Sequence, residues 1–297
     1  MKKIASAFIS LLGVSVIFCC KQKSSFNNAI NGQSLLWEIT GNGLKSPSYF
    51  LGTMHLMCAE DAVLSNNVLK IIGQVDTIYL EIDMDNAGEL LGGMVDMALK
   101  DNRTLRDILS GEDYAKVKNF FEKFQKNMPF ALLEKQPPLM ISSSLYELLL
   151  PCEKKNGVEL KIIDEAYKQK KETKGLETFA FQSSIFDSIP YEVQAKDLVN
   201  TIDSLDKYKK DLGKMISVYK SQNINKLFEL TANDSSGTSG YMDLLLYRRN
   251  KNWVEQFPGI TNNNSALFAV GAGHLGGEKG VINLLRQNGY TARAIEN

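Results

Sequence analysis

The sequence predicts an α/β fold in which a central mixed β-sheet is flanked by helices. Short apolar runs rich in β-branched and aromatic residues occur towards both ends of the chain, and helical apolar periodicity follows several of them. Between these parts, about 84–257 is mostly helical in pattern, which indicates an inserted helical region. Strands alternating with helices are typical of a sheet covered on both faces. With 297 residues, 44% of them hydrophobic and 23% charged, fibrous and disordered classes are excluded.

The first structured elements are predicted to be a β-hairpin, a helix and a buried strand. Residues 35–40 and 48–51 form the hairpin, because a glycine-containing turn separates two runs typical of strands. The second strand leads directly to His55. Apolar residues at helical spacing then predict a helix over 64–72, and an apolar run predicts a strand over 77–82.

The middle of the chain is predicted to be a series of helices, and its end a compact strand–helix–strand unit. Helices are predicted over 87–100, 114–126, 131–150, 191–230 and 241–257, the third with a break at its prolines. Residues 158–163 are predicted to form a further buried strand, and Gly175-Leu176-Glu177-Thr178 to open a turn into a helix. A polar loop at 233–240 precedes a strand over 266–270, a helix over 281–287 and a strand over 290–295.

The N-terminus resembles a bacterial lipoprotein signal. A basic start is followed by an apolar run over 4–18, then by Cys19, Cys20 and polar residues. The run is shorter than the ~20 residues that a membrane-spanning helix needs, so a cleaved secretory signal is favoured. An uncleaved single-span anchor stays an alternative. Cleavage before Cys20 places the small Cys19 beside the cut, whereas cleavage before Cys19 would place the bulky Phe18 there.

Cys20 is therefore the predicted site of lipid attachment. The chain divides into a signal peptide, 1–19, a flexible tether, 20–34, and a single domain, 35–297. The folded domain is expected outside the cytoplasm, in the bacterial cell envelope, anchored to a membrane through its lipid. Lys+Arg and Asp+Glu both number 34, so no basic excess attracts phosphate backbones and nucleic acid is excluded as a partner.

Two further cysteines, Cys58 and Cys152, lie in the predicted domain. A disulfide between them is compatible with an oxidising compartment, but sequence alone does not show that they are near each other. The sequence therefore favours two buried free thiols. Cys58 lies three residues after His55, where a buried thiol is again favoured over a metal ligand.

The chain contains only two histidines, His55 and His274, and both occur in the same context. Each follows an apolar strand and has a glycine three residues earlier, Gly52 or Gly271. Glycine occupies 22 of 297 positions, about 7%, so chance would give both matches in about 0.5% of cases. A glycine after a strand lets the backbone turn tightly and directs the imidazole into the crevice at the carboxyl edge of the sheet. The pattern favours one shared site over two structural histidines.

An acidic residue, Glu81, interrupts the apolar strand predicted at 77–82. An unpaired buried carboxylate is costly, so Glu81 needs a cation or several donors, unless it lies at an exposed strand end and pairs with a lysine. Two imidazoles and a carboxylate form a common metal-binding set. Glu177 and Arg249 are further candidate site residues, although acidic residues and arginines at turns and on helices usually lie on solvated faces. No HExxH, GxSxG, P-loop or CxxC motif is present.

The motifs, taken in order, resemble the TraB/GumN family, which includes the Tiki metalloproteases. They are Leu36-Trp37-Glu38-Ile39, Tyr49 to His55, Tyr79-Leu80-Glu81, Gly175-Leu176-Glu177-Thr178, Arg248 to Trp253, and Val270 to Leu275. The resemblance implies an α/β fold of the erythromycin-esterase/ChaN-like kind. For Tiki members it implies peptide hydrolysis with Mn²⁺ or Co²⁺, and Zn²⁺ is an alternative ion.

By this resemblance His55, His274 and Glu81 hold the metal ion, and Glu81, Glu177 and Arg249 take part in catalysis. Which glutamate binds the ion and which transfers protons stays open, as do the substrate and the ion itself. The predicted function is a lipid-anchored metallohydrolase that acts on a peptide or protein substrate. The alternative is a non-catalytic lipoprotein that binds haem, iron or a peptide.

Overall fold

A computed structural model describes residues 33–86, 88, 98–124, 129–232 and 239–297. The predicted signal peptide, Cys20 and nearly all of the predicted tether lie outside the described residues. So do most of the helix predicted over 87–100 and of the loop predicted over 233–240. No helix within the described residues combines the length and the apolarity that crossing a membrane requires.

A six-stranded mixed sheet forms the centre of the molecule, which confirms the predicted fold class. Its strands are Leu36–Gly41 (β1), Ser48–Thr53 (β2), Thr77–Ile82 (β4), Glu172–Glu177 (β6), Ala266–Gly271 (β7) and Tyr290–Ile295 (β8). Met57–Cys58 (β3) and Lys155–Asn156 (β5) pair separately. The order in the large sheet is β6-β4-β7-β2-β1-β8. The first four strands of this order are parallel, whereas β1 is antiparallel to both of its neighbours.

Helices surround this sheet and make up most of the middle of the chain. They are Asn66–Gln74 (α1), Leu105–Ile108 (α2), Gly111–Phe124 (α3), Phe130–Leu133 (α4), Pro138–Leu149 (α5), Val158–Lys168 (α6), Phe179–Asp187 (α7), Tyr191–Asp203 (α8), Leu205–Lys220 (α9), Ile224–Ala232 (α10), Arg248–Thr261 (α11) and Val281–Gln287 (α12). A π-helix, Asp243–Tyr247, runs directly into α11, and a 3₁₀ turn, Ala272–His274, follows β7. The predicted break at the prolines is present between α4 and α5.

Aromatic packing fixes α11 against the central strands. The ring of Phe268 in β7 stacks on Phe50 of β2 at 4.7 Å and on Tyr79 of β4 at 5.4 Å. Phe257 of α11 packs on Phe268 at 5.3 Å and on Tyr290 of β8 at 5.0 Å. Burial of such large rings dominates core energetics, so these contacts hold α11 in place. A separate hydrophobic cluster lies among α2, α3, α4, α5 and α8.

Two local predictions are wrong. Residues 158–163 form the start of α6 rather than a strand, and the buried residues Val158, Glu159, Ile162 and Ala166 follow helical spacing. The turn predicted over 175–178 is wrong for its first three residues, because Gly175 to Glu177 lie in β6 and Gly175 pairs with Leu80 of β4, whereas Thr178 does lead into a helix, α7. A side chain at Gly175 would meet the backbone nitrogen of Asp83 at 2.6 Å, so glycine permits a close approach of two backbones there.

The prediction of two free thiols is also wrong. Cys58 and Cys152, which are 94 positions apart in sequence, form a disulfide with their Cα atoms 5.8 Å apart. The bond joins β3 to the chain segment just before β5. Cys58 is therefore unavailable as a thiolate ligand.

Candidate active site

The site lies at the carboxyl edge of the sheet, where the four parallel strands end. Glu81 is the penultimate residue of β4, and Glu177 is the last residue of β6. His55 follows β2 by two residues, and His274 ends the 3₁₀ turn after β7. Since β4, β7 and β2 are neighbours, their ends bring residues that are distant in sequence to one crevice.

Glu81 is the centre of the site. Its Oε1 accepts a hydrogen bond from the backbone nitrogen of Gly271 at 2.7 Å. The same oxygen lies 3.9 Å from Nε2 of His55 and 3.8 Å from Nε2 of His274. Its Oε2 accepts a hydrogen bond from Nη2 of Arg249 at 2.6 Å. One carboxylate oxygen therefore faces both imidazoles, while the other is held by an arginine.

Gly271 leaves open the space between these three side chains. A Cβ at this position would lie 3.2 Å from Glu81 Oε1, 3.5 Å from His55 Nε2 and 3.6 Å from His274 Cδ2. The glycine three residues before His274 thus does more than permit a turn. It keeps side-chain volume out of the point on which the imidazoles and the carboxylate converge.

Arg249, near the start of α11, ties the two glutamates together. Its Nε donates to Glu177 Oε2 at 2.9 Å, and its Nη2 lies 2.9 Å from the same oxygen. Its Nη1 donates to the carbonyl of Leu245 at 3.0 Å and lies 3.2 Å from Nε2 of His274. Leu245 belongs to the π-helix, a form that is frequent at functional sites. Gln182 of α7 adds hydrogen bonds to Glu81 and Glu177, at 3.3 and 3.2 Å.

Glu81 is ionised despite its burial. Burial raises the pKa of this carboxyl, but its interactions with His274, Arg249 and His55, together with the hydrogen bond from the Gly271 amide, lower it well below its usual range. Arg249 shows the reverse balance, because burial lowers its pKa while Glu81 and Glu177 raise it more. The pair is therefore a buried ion pair with hydrogen bonds on both sides.

His274 is buried and held as a neutral ring. Its Nδ1 lies 2.5 Å from Oδ1 of Asn250, the residue after Arg249, and its ring packs on Trp253 of α11 at 4.5 Å. Burial lowers the pKa of His274 to about 3, and the charges of Arg249 and His55 act in the same direction, against that of Glu81. An amide oxygen on Nδ1 leaves the Nε2 lone pair directed towards the site.

His55 has a carboxylate partner. Its Nδ1 forms an ion pair with Oε1 of Glu159, in the first turn of α6, at 2.7 Å. Partial desolvation lowers the pKa of His55, but the hydrogen bond and charge of Glu159, with the charge of Glu81, raise it to about 9. The backbone of this turn is held as well, because the Val158 amide donates to the carbonyl of Met54 at 3.0 Å. Gly157 packs so closely on this turn that a Cβ there would overlap the carbonyl oxygen of His55.

Comparison with family models identifies the chain. The model described as the TraB/PrgY/gumN family matches residues 35–294, which is most of the sequence. The chain belongs to the TraB/PrgY/gumN family. The predicted resemblance is therefore confirmed, whereas no solved structure gives a significant match to the chain.

Curated relatives are similar at low identity. The chain is 22% identical to "Metalloprotease TIKI2" of Xenopus tropicalis, over 86% of the chain and 59% of that protein. It is 22% identical to "Metalloprotease TIKI1" of Homo sapiens, over 86% of the chain and 61% of that protein. It is 23% identical to "Metalloprotease TIKI homolog" of Amphimedon queenslandica, over 91% of the chain and 62% of that protein. The chain thus spans about three-fifths of the length of these relatives.

These relatives are named metalloproteases, and the site of this TraB/PrgY/gumN member contains two imidazoles and a carboxylate, side chains of the kinds that bind metal ions. Each imidazole uses Nδ1 for a side-chain partner and turns Nε2 towards Glu81, which is how protein partners orient metal-binding histidines. Gly271 leaves the central space open. Within the described residues, no three His, Cys, Asp or Glu side chains lie close enough together to hold a metal ion as they stand. The Nε2–Oε1 distances of 3.8 and 3.9 Å exceed the roughly 3.4 Å that two ligands span on a tetrahedral ion.

All five predicted site residues lie within one connected set of contacts. His55, His274 and Arg249 each contact Glu81, and Glu177 joins through Arg249. Three further members were missed by the sequence analysis: Glu159, Gln182 and Asn250. Glu159 was missed because its segment was predicted to be a strand. Asn250 could have been found, because it follows Arg249 directly in a motif that carries the family resemblance. No sequence pattern marks Gln182 as a site residue.

Proposed function

We propose that this protein is a lipid-anchored, divalent-metal-dependent hydrolase that cleaves peptide bonds. The observation that carries the proposal is the convergence of two imidazole Nε2 atoms on Glu81 Oε1, beside the side-chain-free Gly271. Membership of the family and the similarity to relatives named metalloproteases support the reaction class. The lipid anchor rests on the N-terminal sequence, with Cys20 as the acceptor and the bacterial cell envelope, outside the cytoplasm, as the location.

His55, His274 and Glu81 would hold the ion. Family resemblance favours Mn²⁺ or Co²⁺, and imidazole and carboxylate ligands also suit Zn²⁺. When bound, a divalent ion polarises a carbonyl and lowers the pKa of water. The part of the chain in this chemistry is to orient both Nε2 atoms towards Glu81, which Glu159 and Asn250 achieve by engaging the two Nδ1 atoms. The Nε2 atom of His274 already has a free-base lone pair, whereas His55 would give up its Nε2 proton on binding an ion.

We assign the two glutamates different roles. Oε1 of Glu81 is the carboxylate oxygen that faces both imidazoles, so Glu81 either ligates the ion or accepts the proton of the attacking water. The Glu177 side chain is 1% exposed and its oxygens accept hydrogen bonds from Arg249 and Gln182. Glu177 therefore acts on the reaction by positioning Arg249.

Arg249 is the candidate for stabilising negative charge on the substrate. In the present arrangement, however, Nε, Nη1 and Nη2 all have protein partners, among them Glu81, Glu177 and Leu245. A guanidinium has five N–H donors, and a contact to a substrate oxygen requires it to give up one of these partners. Arg249 would act on substrate only after such a change.

The test of the enzymatic proposal uses the mature protein, freed of metal and reloaded with Mn²⁺, Co²⁺ or Zn²⁺. Cleavage of a broad peptide library, followed by mass spectrometry, is expected with at least one ion. His55→Ala and His274→Ala should each lose bound metal and cleavage together. Asp164→Asn, at an exposed position on α6, should retain both and serves as the matched control.

If no ion supports cleavage of any library peptide, the proposed hydrolase is wrong. A shift of the Soret band on addition of haem, or saturable peptide binding without cleavage, would then establish the alternative of a non-catalytic binding lipoprotein.

The anchor is tested separately. Cys20→Ser should abolish labelling by a fatty-acid analogue and release the protein from the membrane. Labelling that survives Cys20→Ser but is lost in Cys19→Ser would move the acceptor to Cys19. Labelling that survives both changes would contradict the lipoprotein signal.

A further inference from the structure

We propose that Arg249 is a built-in cation that competes with a divalent metal ion for His274, so that metal binding requires Arg249 to release this ring. The inference deepens the proposed metal site and rests on the assignment of His274 as a ligand. It makes an unusual prediction, because removal of a buried, well-bonded arginine should tighten metal binding rather than weaken it.

The first step is that His274 has one lone pair available. The Nδ2 atom of Asn250 donates to the carbonyls of Lys279, at 2.9 Å, and of His274, at 3.4 Å. These contacts to two carbonyl oxygens fix the orientation of the amide, so it is Oδ1 of Asn250 that faces Nδ1 of His274 at 2.5 Å. An oxygen acceptor there requires Nδ1 to carry the proton, which leaves Nε2 as the only acceptor of the ring.

The second step is that Arg249 already uses this lone pair. Nη1 of Arg249 lies 3.2 Å from Nε2 of His274, and a guanidinium can only donate. A metal ion would need the same lone pair. Since one lone pair serves one partner, ligation of an ion by His274 and the Arg249–His274 contact exclude each other.

Release of His274 requires the planar guanidinium of Arg249 to pivot as one unit. Nε and Nη2 of Arg249 bind Glu177, and Nη1 also has the carbonyl of Leu245 as a partner. Because the guanidinium is a rigid plane, Nη1 leaves His274 only when the whole group pivots about the Glu177 carboxylate, and the contact to Leu245 changes with it. The released N–H then becomes the donor that a substrate oxygen would require.

Arg249 balances the negative charges of two buried glutamates. Glu81 and Glu177 are both buried carboxylates, and such groups are costly without a cation. Arg249 supplies that cation in the metal-free protein. A neutral side chain at this position would leave Glu177 without its cation and Glu81 with only His55 as a cationic neighbour, so a divalent ion would be attracted more strongly.

The experiment compares Arg249→Met and Arg249→Gln with the unchanged full chain, all prepared without metal. Zn²⁺ and Mn²⁺ affinities are measured by calorimetry, and circular dichroism verifies that each variant is folded. Both variants should bind at least about tenfold more tightly. The matched control is Arg248→Gln, because Arg248 is the adjacent residue, is exposed and pairs with Asp243 at 2.6 Å. This control should leave the affinity unchanged.

The outcomes separate this inference from the proposed function. Binding by the unchanged protein with equal or weaker binding by both variants would overturn the competition and leave the metal site in place. Binding by the variants alone would support the competition and contradict metal dependence of the natural chain. Absence of binding in all proteins would overturn both.

A second measurement does not depend on the variants folding. In a structure of the unchanged protein with Zn²⁺ bound, Nη1 of Arg249 should lie beyond hydrogen-bond distance of His274 Nε2, with the Glu177 contacts kept. A zinc-bound structure that retains the 3.2 Å contact would overturn the proposal.

Discussion

His55 and His274 follow neighbouring parallel strands, yet the side chain of His55 is 66% exposed and that of His274 is 5% exposed. Glu159 forms an ion pair with Nδ1 of His55, and the pKa of that ring is raised to about 9. Asn250 provides an amide to Nδ1 of His274, and the pKa of that ring is lowered to about 3. Two copies of one short motif thus give one cationic and one neutral imidazole.

The difference in exposure and in pKa between the two histidines comes from the helices that pack on them rather than from the strands that precede them. Both strands deliver a ring to the same edge of the sheet, because Thr53 and Gly271 are paired in the parallel register. α11 then covers the second ring with Trp253, while the N-terminus of α6 supplies the carboxylate to the first. The motif therefore determines where an imidazole lies, and the neighbouring helix determines its protonation.

The largest loss of metal binding and cleavage is expected from a change at Gly271, one of the two glycines that precede the histidines by three residues. Gly271→Ala places a methyl group 3.2 Å from Glu81 Oε1 and between the two rings. Metal affinity and peptide cleavage should fall together, with cleavage reduced on the order of 10²-fold, because displacements of about 1 Å have effects of that size. Calorimetry and steady-state rates measure both.

Gly273 provides the matched control for this change. A Cβ there would meet only Thr231, at 3.5 Å and beyond, which is ordinary van der Waals contact. Gly273→Ala should therefore retain affinity and rate within about twofold. Equal losses in the two variants would show that the turn, and not the space at Gly271, is what matters.

The second prediction is a change that should affect only the buried imidazole of His274. Asn250→Leu leaves Nδ1–H of His274 and two backbone carbonyls without their partner. Metal affinity should fall roughly 10–100-fold and stability to urea by about 1–3 kcal/mol. Asn252→Leu, at an exposed position of the same helix, should change neither. A loss that also shifts the NMR signals of His55 would contradict independent control of the two rings.

The third change replaces the carboxylate partner of His55 by an amide, which is the kind of partner that His274 has. Glu159→Gln should lower the pKa of His55 from about 9 towards its ordinary 6.5, and NMR titration of the two histidines measures this directly. The folded-state pKa of His55 is raised, so its charge contributes stability that is present below pH 6.5 and is lost as the pH rises through about 9. The stability difference between natural protein and variant should shrink across that window. A constant difference would contradict the ion pair as its cause.

The smallest expected effect on catalysis concerns the backbone around His55. Replacing Cys58 and Cys152 together by Ser removes the covalent link beside this turn. Stability should fall by about 2–4 kcal/mol, and cleavage by only a few-fold, because Glu159 and Val158 still hold the turn. NMR signals of His55 should shift while those of His274 stay in place. Shifts of equal size in both would show that the disulfide supports the whole site.

Much of the architecture could be predicted from local patterns. Period-two and period-3.6 apolar spacing identified the hairpin, β4, β7 and β8, and the glycine before each histidine indicated a strand end. Glu81 was recognisable because a carboxylate within an apolar strand needs a partner. These inferences need only residues that are close in sequence.

The rest depends on contacts that local patterns do not contain. The segment starting at Val158 is rich in aliphatic residues, so a strand was a natural prediction, and the error concealed Glu159 as the partner of His55. Helical burial there follows from packing against distant elements. The pairing of Cys58 with Cys152 requires the path of the chain between them, which spacing does not give.

The disulfide also makes part of the chain a covalent ring. The ring from Cys58 to Cys152 includes β4 with Glu81, while His55 and His274 lie outside it on either side. A protease that cuts once within the ring cannot separate the two pieces, so a nicked molecule would migrate as one chain until it is reduced. Glu81 would remain joined to both histidines after such a cut.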